Sequence, residues 1–138
     1  MVRMRALILL ALSGALLMVG QTPAAKVAGT VTHRQRVALP PAAIVEVRLQ
    51  DVSRADAPAV VLGKQTIELK GRQVPVPFEI SYDPAKIEVR SRYTVAARIT
   101  VEGKLIFISD TIHPVITRGA ARMVEIVVVP AGGARGKK

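Results

Sequence analysis

The sequence predicts an all-β protein, a single β-sandwich of about seven mostly antiparallel strands that follows an N-terminal signal peptide. Two observations lead to this fold class. Apolar and polar residues alternate along several short segments, as in half-buried strands, whereas no segment after the leader keeps a 3.6-residue apolar period. Turn-forming residues separate these segments. A partly open barrel would produce the same pattern, so the sandwich and the barrel remain alternatives.

The alternation is clearest in three segments, in which every second side chain is apolar and faces a common core. These segments are Val45 to Leu49, Val76 to Tyr82 and Tyr93 to Val101. Further strands are predicted at Val27 to His33, Val60 to Leu69, Leu105 to Ser109 and Met123 to Val129. The last two are apolar enough to lie in the centre of a sheet.

Turn signals lie between the predicted strands, at Pro40-Pro41, Ala57-Pro58, Gly71 and Gly103. Gly103 is expected in a tight hairpin, because such a turn needs a residue that tolerates positive φ. Asp83 followed by Pro84 predicts a different element. An Asp cap with Pro at the first helical position indicates a single helical turn over Ala85 to Ile87.

The first residues have the three-part layout of a signal peptide. Arg3 and Arg5 precede the apolar run Ala6 to Val19, and small residues follow up to Ala24, after which we expect cleavage. The apolar run is shorter than the roughly 20 residues that a membrane-spanning helix needs. We therefore expect a leader at residues 1–24, a β-sandwich domain at 25–130 and a disordered basic tail at 131–138.

The composition limits the possible partners and chemistry. The chain has 20 Lys and Arg residues against 10 Asp and Glu residues, and the leader holds only Arg3 and Arg5 of these. The domain is therefore basic, and charged partners should be acidic. The absence of cysteine excludes disulfides, thiol catalysis and a lipid attached to cysteine. We expect a periplasmic or secreted bacterial protein that meets the membrane only transiently, through its signal peptide.

Several segments, taken in their order, carry a resemblance to a known family. They are Gly29-Thr30-Val31, Leu39-Pro40-Pro41, Val45 to Leu49, Asp51 to Pro58, Pro75 to Phe78 and Ser109-Asp110-Thr111. From Val27 to about Pro130 the sequence resembles the YbaY-like lipoproteins, a group similar to the YscW-type secretion pilotins. The resemblance implies a cell-envelope β-sandwich and, in the pilotin branch, help with outer-membrane secretin assembly. No cysteine follows the leader, so we expect a family homologue without a lipid anchor.

Ser109, Asp110 and His113 have the side-chain types of a hydrolase triad without its arrangement. Successive strand residues point to opposite faces, so the Ser109 and Asp110 side chains should diverge, and a working triad draws its members from separate elements. We interpret these residues as a strand end and its turn, with His113 in a loop. His33 is expected at the surface of a strand end, and two distant histidines make no metal site. No enzyme, metal or cofactor is predicted.

The cluster Asp51, Ser53, Arg54 and Asp56 lies in a predicted loop. It lacks the glycine and the terminal glutamate of an EF-hand calcium loop. The simpler interpretation is a strand connection, in which Asp and Ser side chains bond to nearby amides and Arg54 pairs with a carboxylate. The functional interpretation is a loop that docks a partner.

Arginines are frequent on the predicted strands, and Arg48 and Arg98 are candidates for binding phosphate or carboxylate groups. The simpler interpretation is a solvated surface on which they form cross-strand pairs with Glu46, Glu79 and Glu102. Nucleic acid is excluded as a partner because too few aromatic side chains are available for base stacking.

These observations predict an exported, non-enzymatic cell-envelope module that docks a protein partner, for example by adding a partner strand to an exposed sheet edge. The alternative is electrostatic binding of an anionic envelope polymer through surface arginines. The sequence does not indicate an oligomeric state.

Overall fold

Residues 25–132 are described by the computed structural model, and they contain eight strands and one short 3₁₀ helix. The strands are β1 (Ala25–His33), β2 (Ala43–Asp51), β3 (Val60–Glu68), β4 (Val76–Tyr82), β5 (Tyr93–Val101), β6 (Lys104–Ser109), β7 (His113–Val115) and β8 (Met123–Pro130). The 3₁₀ helix (Pro84–Lys86) joins β4 to β5. The predicted leader and residues 133–138 of the predicted tail lie outside the described residues. Within residues 25–132 we find no helix of sufficient length and apolarity to cross a bilayer.

The strands form one continuous sheet in the order β3-β2-β5-β6-β8-β1-β4, with β7 paired to β5 beside this path. All described pairs are antiparallel except β1 with β8. The end strands β3 and β4 lie against each other, since the Glu79 N–H donates to Gln65 Oε1 at 2.6 Å. The sheet is therefore nearly closed and barrel-like, and the all-β class is confirmed. The choice between a sandwich and a partly open barrel is not decided, and the sandwich stays a prediction.

The core comes from the alternation along the strands. On β2 the buried side chains are Ala43, Val45, Val47 and Leu49, and each faces inward while the residues between them reach the surface. Burial of each such side chain contributes roughly 1.5–3 kcal/mol. The parallel pair β1–β8 depends on Gly29, because a Cβ at this position would lie 1.8 Å from the Val124 carbonyl oxygen. Only glycine allows these two backbones to approach so closely.

The seven predicted strands correspond to β1–β6 and β8, and the structure adds β7. The predicted hairpin is confirmed, with positive φ at both Glu102 (50°) and Gly103 (81°), as in a type I′ turn. The predicted cap is also present, because Asp83 Oδ1 accepts a hydrogen bond from the Ala85 N–H at 2.9 Å. The helical turn covers Pro84–Lys86, one residue earlier than expected.

The pairing brings seven strand ends together at one end of the sheet, which we call the Tyr93 end. There β2, β4 and β7 finish, and β1, β3, β5 and β8 begin. Asp51 lies opposite both Tyr93 and Val60, and Ala25 lies opposite Tyr82. The loops that connect these strands therefore share one surface, and His33 and Val101 mark the opposite end.

Candidate functional site

Arg48 and Arg98, the two predicted binding arginines, lie on the outer face of neighbouring strands β2 and β5. Glu46 lies opposite Arg98 in the pairing, and it receives both guanidinium groups. Glu46 Oε1 lies 2.5 Å from Arg48 Nε and 3.3 Å from Arg98 Nε, and its side chain is only 17% exposed. The structure thus brings the two arginines together around one carboxylate. The Arg98–Glu46 contact is the cross-strand pairing that the sequence offered as the simpler interpretation, whereas Arg48 and Glu46 lie on the same strand.

The predicted loop cluster divides into two parts. Asp51 Oδ1 accepts hydrogen bonds from the Ser53 N–H at 2.9 Å and the Ser53 hydroxyl at 2.5 Å, and Ser53 Oγ accepts one from the Arg92 N–H at 2.8 Å. These bonds tie the end of β2 to the start of β5, as expected of a strand connection. Arg54 and Asp56 are exposed, and neither forms an ion pair within residues 25–132. The expected pairing of Arg54 with a carboxylate is therefore wrong.

Beside this connection, an apolar groove opens at the Tyr93 end. It has a volume of about 540 Å³, and its wall includes Arg92, Tyr93, Ile112, Pro114, Val115 and Arg118. A cavity of this size lies within the roughly 300–1,000 Å³ range of ligand pockets. The residues that line it include two arginines and no carboxylate. The groove is thus an apolar surface with a cationic rim.

The floor of the groove is rigid, and its mouth is exposed. Tyr93 and Val115 are buried, and they lie opposite each other in the β5–β7 pair. The Tyr93 hydroxyl accepts a hydrogen bond from the Glu88 N–H at 2.9 Å, which fixes the phenol ring. Ile112, in contrast, is 75% exposed. An exposed large apolar side chain beside an apolar groove is typical of an interaction surface.

One side of the groove is a strained loop. The Thr117 N–H donates to the Val115 carbonyl oxygen at 2.8 Å while Ile116 has φ of 73°, which defines a γ-turn of the rare positive-φ kind. Arg118 follows with φ of 58°. Positive φ is unfavourable for a β-branched residue, and such strain persists only where surrounding contacts impose it.

Two hydrogen bonds hold this strained loop against the segment before β5. Thr117 Oγ1 donates to the Ser91 carbonyl oxygen at 2.8 Å, and Arg118 Nη2 donates to the Arg90 carbonyl oxygen at 3.3 Å. The second bond fixes the Arg118 guanidinium at the rim of the groove. The loop therefore presents a positioned cation next to an apolar surface, and strain of this kind is concentrated at functional sites.

Ser109 and Asp110, two of the residues with the side-chain types of a triad, form hydrogen bonds that stabilise the fold. Ser109 Oγ accepts a hydrogen bond from the Ala97 N–H at 3.0 Å, and Asp110 Oδ1 accepts one from the Thr111 hydroxyl at 3.1 Å. Within the described part of the chain, no hydrogen bond joins Ser109, Asp110 and His113 to one another. His113 begins strand β7 opposite Val95, so its expected place in a loop was wrong.

His33 also differs from expectation, because its ring is buried rather than exposed at the strand end. The ring stacks on Phe107 with 4.7 Å between centroids, and Nδ1 accepts a hydrogen bond from the Gln35 N–H at 3.2 Å. The aromatic contact explains the burial. Between residues 25 and 132, no group of three or more His, Cys, Asp or Glu side chains is arranged to hold a metal ion.

The groove was not predicted from the sequence. Its wall combines the start of β5, the three-residue strand β7 and the loop that follows β7, and these meet only through pairing over long sequence distances. The available signals were Gly119, which marks a turn, and the apolar residues Ile112, Val115 and Ile116 just before it. Neither signal indicates a groove without the fold.

Comparison with known proteins identifies the family of this chain and several relatives, of which two are described. A sequence profile of the family described as type III secretion system lipoprotein chaperone (YscW) matches residues 22–128. The uncharacterized lipoprotein YbaY of Escherichia coli K12 is 44% identical over 104 residues, which is 75% of this chain and 54% of YbaY. The chain thus spans about half the length of this curated relative.

The second relative is a solved structure, that of an alternative pilotin from the type II secretion system of Vibrio cholerae. It superposes with a TM-score of 0.77 at 47% sequence identity, and the match covers 80% of this chain and 99% of the pilotin chain.

Proposed function

The chain belongs to the YscW family of secretion lipoprotein chaperones, and we propose that it is a non-enzymatic module that docks a protein partner in the cell envelope. As a member of this family it is an exported, envelope-associated protein. The similar Vibrio cholerae protein is a pilotin of a secretion system. By analogy, we propose a secretin or another envelope-assembly protein as the partner.

The apolar groove at the Tyr93 end is the observation that carries this proposal. Its arginine rim and apolar wall suit a partner segment that presents apolar side chains flanked by Asp or Glu. Arg118 already donates a hydrogen bond to the Arg90 carbonyl oxygen, which reduces the cost of ordering its side chain on association. The buried ring of Tyr93 gives the segment a firm floor. Apolar anchors surrounded by complementary charge are typical of protein interfaces.

Docking in the groove is better supported than addition of a strand at a sheet edge. The end strands β3 and β4 face each other, with Gln65 bonded to Glu79 across the gap. Gly63 on β3 also lies against β4, because a Cβ there would be 2.5 Å from Ile80 Cγ2. A partner strand would have to separate these contacts before it could pair. We therefore place the partner in the groove.

The alternative partner, an anionic envelope polymer, draws no support from Arg48 and Arg98. Both guanidinium groups already contact Glu46, whose carboxylate offsets one of the two positive charges. The 138 residues contain no cysteine. We therefore also propose that the domain works in the periplasm, or outside the cell, without the cysteine-linked lipid of its relatives.

Site-specific photo-cross-linking in living cells tests the proposal. A photoreactive amino acid at Ile112 lies at the mouth of the groove, and the same amino acid at Val37, another exposed apolar position, lies beyond the opposite end. We expect position 112 to cross-link one envelope protein that position 37 does not. Mass spectrometry identifies the partner, and its cross-linked peptide should contain apolar and acidic residues.

Two results would contradict the proposal. One is the same set of cross-linked proteins from both positions, which would mean that the groove has no selectivity. The other is an absence of any cross-linked protein at position 112 when the variant is exported and folded at wild-type level.

A further inference from the structure

Large apolar side chains are exposed mainly at the Tyr93 end. The exposed ones at this end are Val60, Val61, Val89, Ile112 and Met123. Val89 is 84% exposed and Met123 is 69% exposed, and neither contributes to the wall of the groove. At the opposite end of the described chain, Val37 is the exposed counterpart. Monomeric proteins seldom gather exposed apolar side chains on one surface unless that surface binds something.

Basic residues occupy the same end as these apolar side chains. They are Arg54, Lys86, Arg90, Arg92, Arg118 and Arg122. The acidic residues in the same loops and strand ends are fewer, namely Asp51, Asp56, Asp83 and Glu88. The surface therefore combines exposed apolar groups with an excess of positive charge. This combination is typical of proteins that lie on anionic membranes.

The chain also enters the described domain at this end. Ala25, the first described residue, pairs with Tyr82 of β4, and Met123 lies at the start of the neighbouring strand β8. The predicted leader ends immediately before Ala25. During export, the Tyr93 end is consequently the part of the domain that the chain itself holds closest to the membrane.

We propose that the Tyr93 end binds peripherally to a bilayer surface that contains anionic phospholipid. Val89 and Met123 enter the interface between headgroups and acyl chains, while Arg90 and Arg122 meet the lipid phosphates. Burial of apolar side chains and attraction to anionic lipid act together in such contacts, and each alone gives only weak binding. The contact would hold the domain at a membrane surface without a covalent lipid.

Vesicle flotation of the exported, processed protein tests this contact. The vesicles contain phosphatidylethanolamine with phosphatidylglycerol, and neutral vesicles contain phosphatidylethanolamine with phosphatidylcholine. We expect binding to the anionic vesicles alone, and its loss as salt is raised. Two double variants, V89S with M123S and R90E with R122E, should each lower the partition coefficient by at least about tenfold.

Matched controls lie at the opposite end of the sheet. V37S removes one exposed apolar side chain there, and R34E with R36E reverses two charges just after His33. Both controls should bind anionic vesicles as the wild type does. Circular dichroism and urea midpoints establish that each variant is folded.

Three outcomes would overturn the inference. The wild type could fail to float with anionic vesicles at low salt, the Val89 and Met123 variant could bind as tightly as the wild type, or the opposite-end controls could lose as much binding as the variants.

Because Val89 and Met123 do not line the groove, cross-linking from Ile112 should survive their replacement. A failure of lipid binding therefore leaves the docking proposal standing, and the reverse also holds.

Discussion

Two pairs of arginines distinguish two surfaces of this molecule. Arg48 and Arg98 lie on the open face of β2 and β5, where both bond to Glu46. Arg92 and Arg118 lie at the apolar groove, whose wall contains no carboxylate. All four are basic residues on a basic protein, yet only the second pair combines free charge with apolar surface.

The two surfaces also differ in backbone conformation, and this difference separates a candidate binding surface from a surface that only stabilises the fold. On the open face, both arginines contact Glu46, which offsets one of their two charges, and the backbone is regular strand. At the groove, the backbone of Ile116 and Arg118 has unfavourable positive φ, and hydrogen bonds to Ser91 and Arg90 hold it there. Folding stability alone does not explain a strained loop that presents an arginine to an apolar cavity.

The largest expected effect comes from reversing charge at the groove. R92E with R118E should weaken binding of the partner identified from position 112 by about 100-fold or more, because acidic groups would then face acidic groups. The matched variant on the open face, R48Q with R98Q, should leave affinity within about threefold. Titration calorimetry with the purified partner measures both. Equal losses from the two variants would remove the distinction between the two surfaces.

The second prediction concerns Glu46. E46A leaves Arg48 and Arg98 facing each other without their carboxylate, and we expect unfolding free energy to fall by about 1–2 kcal/mol, less than for a fully buried pair because the arginines are partly exposed. The loss should shrink as salt rises, since salt screens the new repulsion. Urea denaturation at low and high salt measures it. E88A, which removes an exposed carboxylate, is the control, and an equal loss in that variant would contradict the prediction.

The third and smallest effect is on folding stability. Replacing an arginine with glycine should stabilise the protein at the groove and destabilise it on the open face. R118G relieves a left-handed backbone conformation, and the fold should gain about 0.5 kcal/mol while partner affinity falls. R48G places glycine inside a strand and should cost about 1 kcal/mol without affecting the partner. Urea midpoints give the stabilities, and calorimetry gives the affinities. A destabilised R118G would contradict the prediction and show that loss of the bond to Arg90 outweighs any relief of strain.

Much of the fold is predictable from the sequence because alternation is a local signal. Val45, Val47 and Leu49 show it directly, and the Gly103 hairpin and the Asp83 cap depend on adjacent residues. Strand β7 is not predictable in this way, since three residues that include Pro114 carry no period.

The candidate site was less accessible from the sequence than the fold. Arg48 and Arg98 were singled out by charge, but the contact of Arg98 with Glu46 depends on the register of β2 against β5. The groove requires the start of β5 and the loop after β7 to meet, which no local pattern encodes. The burial of His33 depends on Phe107, a residue far away in sequence.

The position of β1 sets an order of events for a chain delivered from its N-terminus. β1 lies between β4 and β8. The first strand of the domain therefore gains its second neighbour only when the last strand is in place. A polypeptide that crosses a membrane N-terminus first cannot close this sheet until residues up to about Pro130 have followed. Its N-terminal strand must wait with one edge unpaired, and the close approach at Gly29 forms last. The topology therefore lets the described domain complete its sheet only after nearly all of its residues have been delivered.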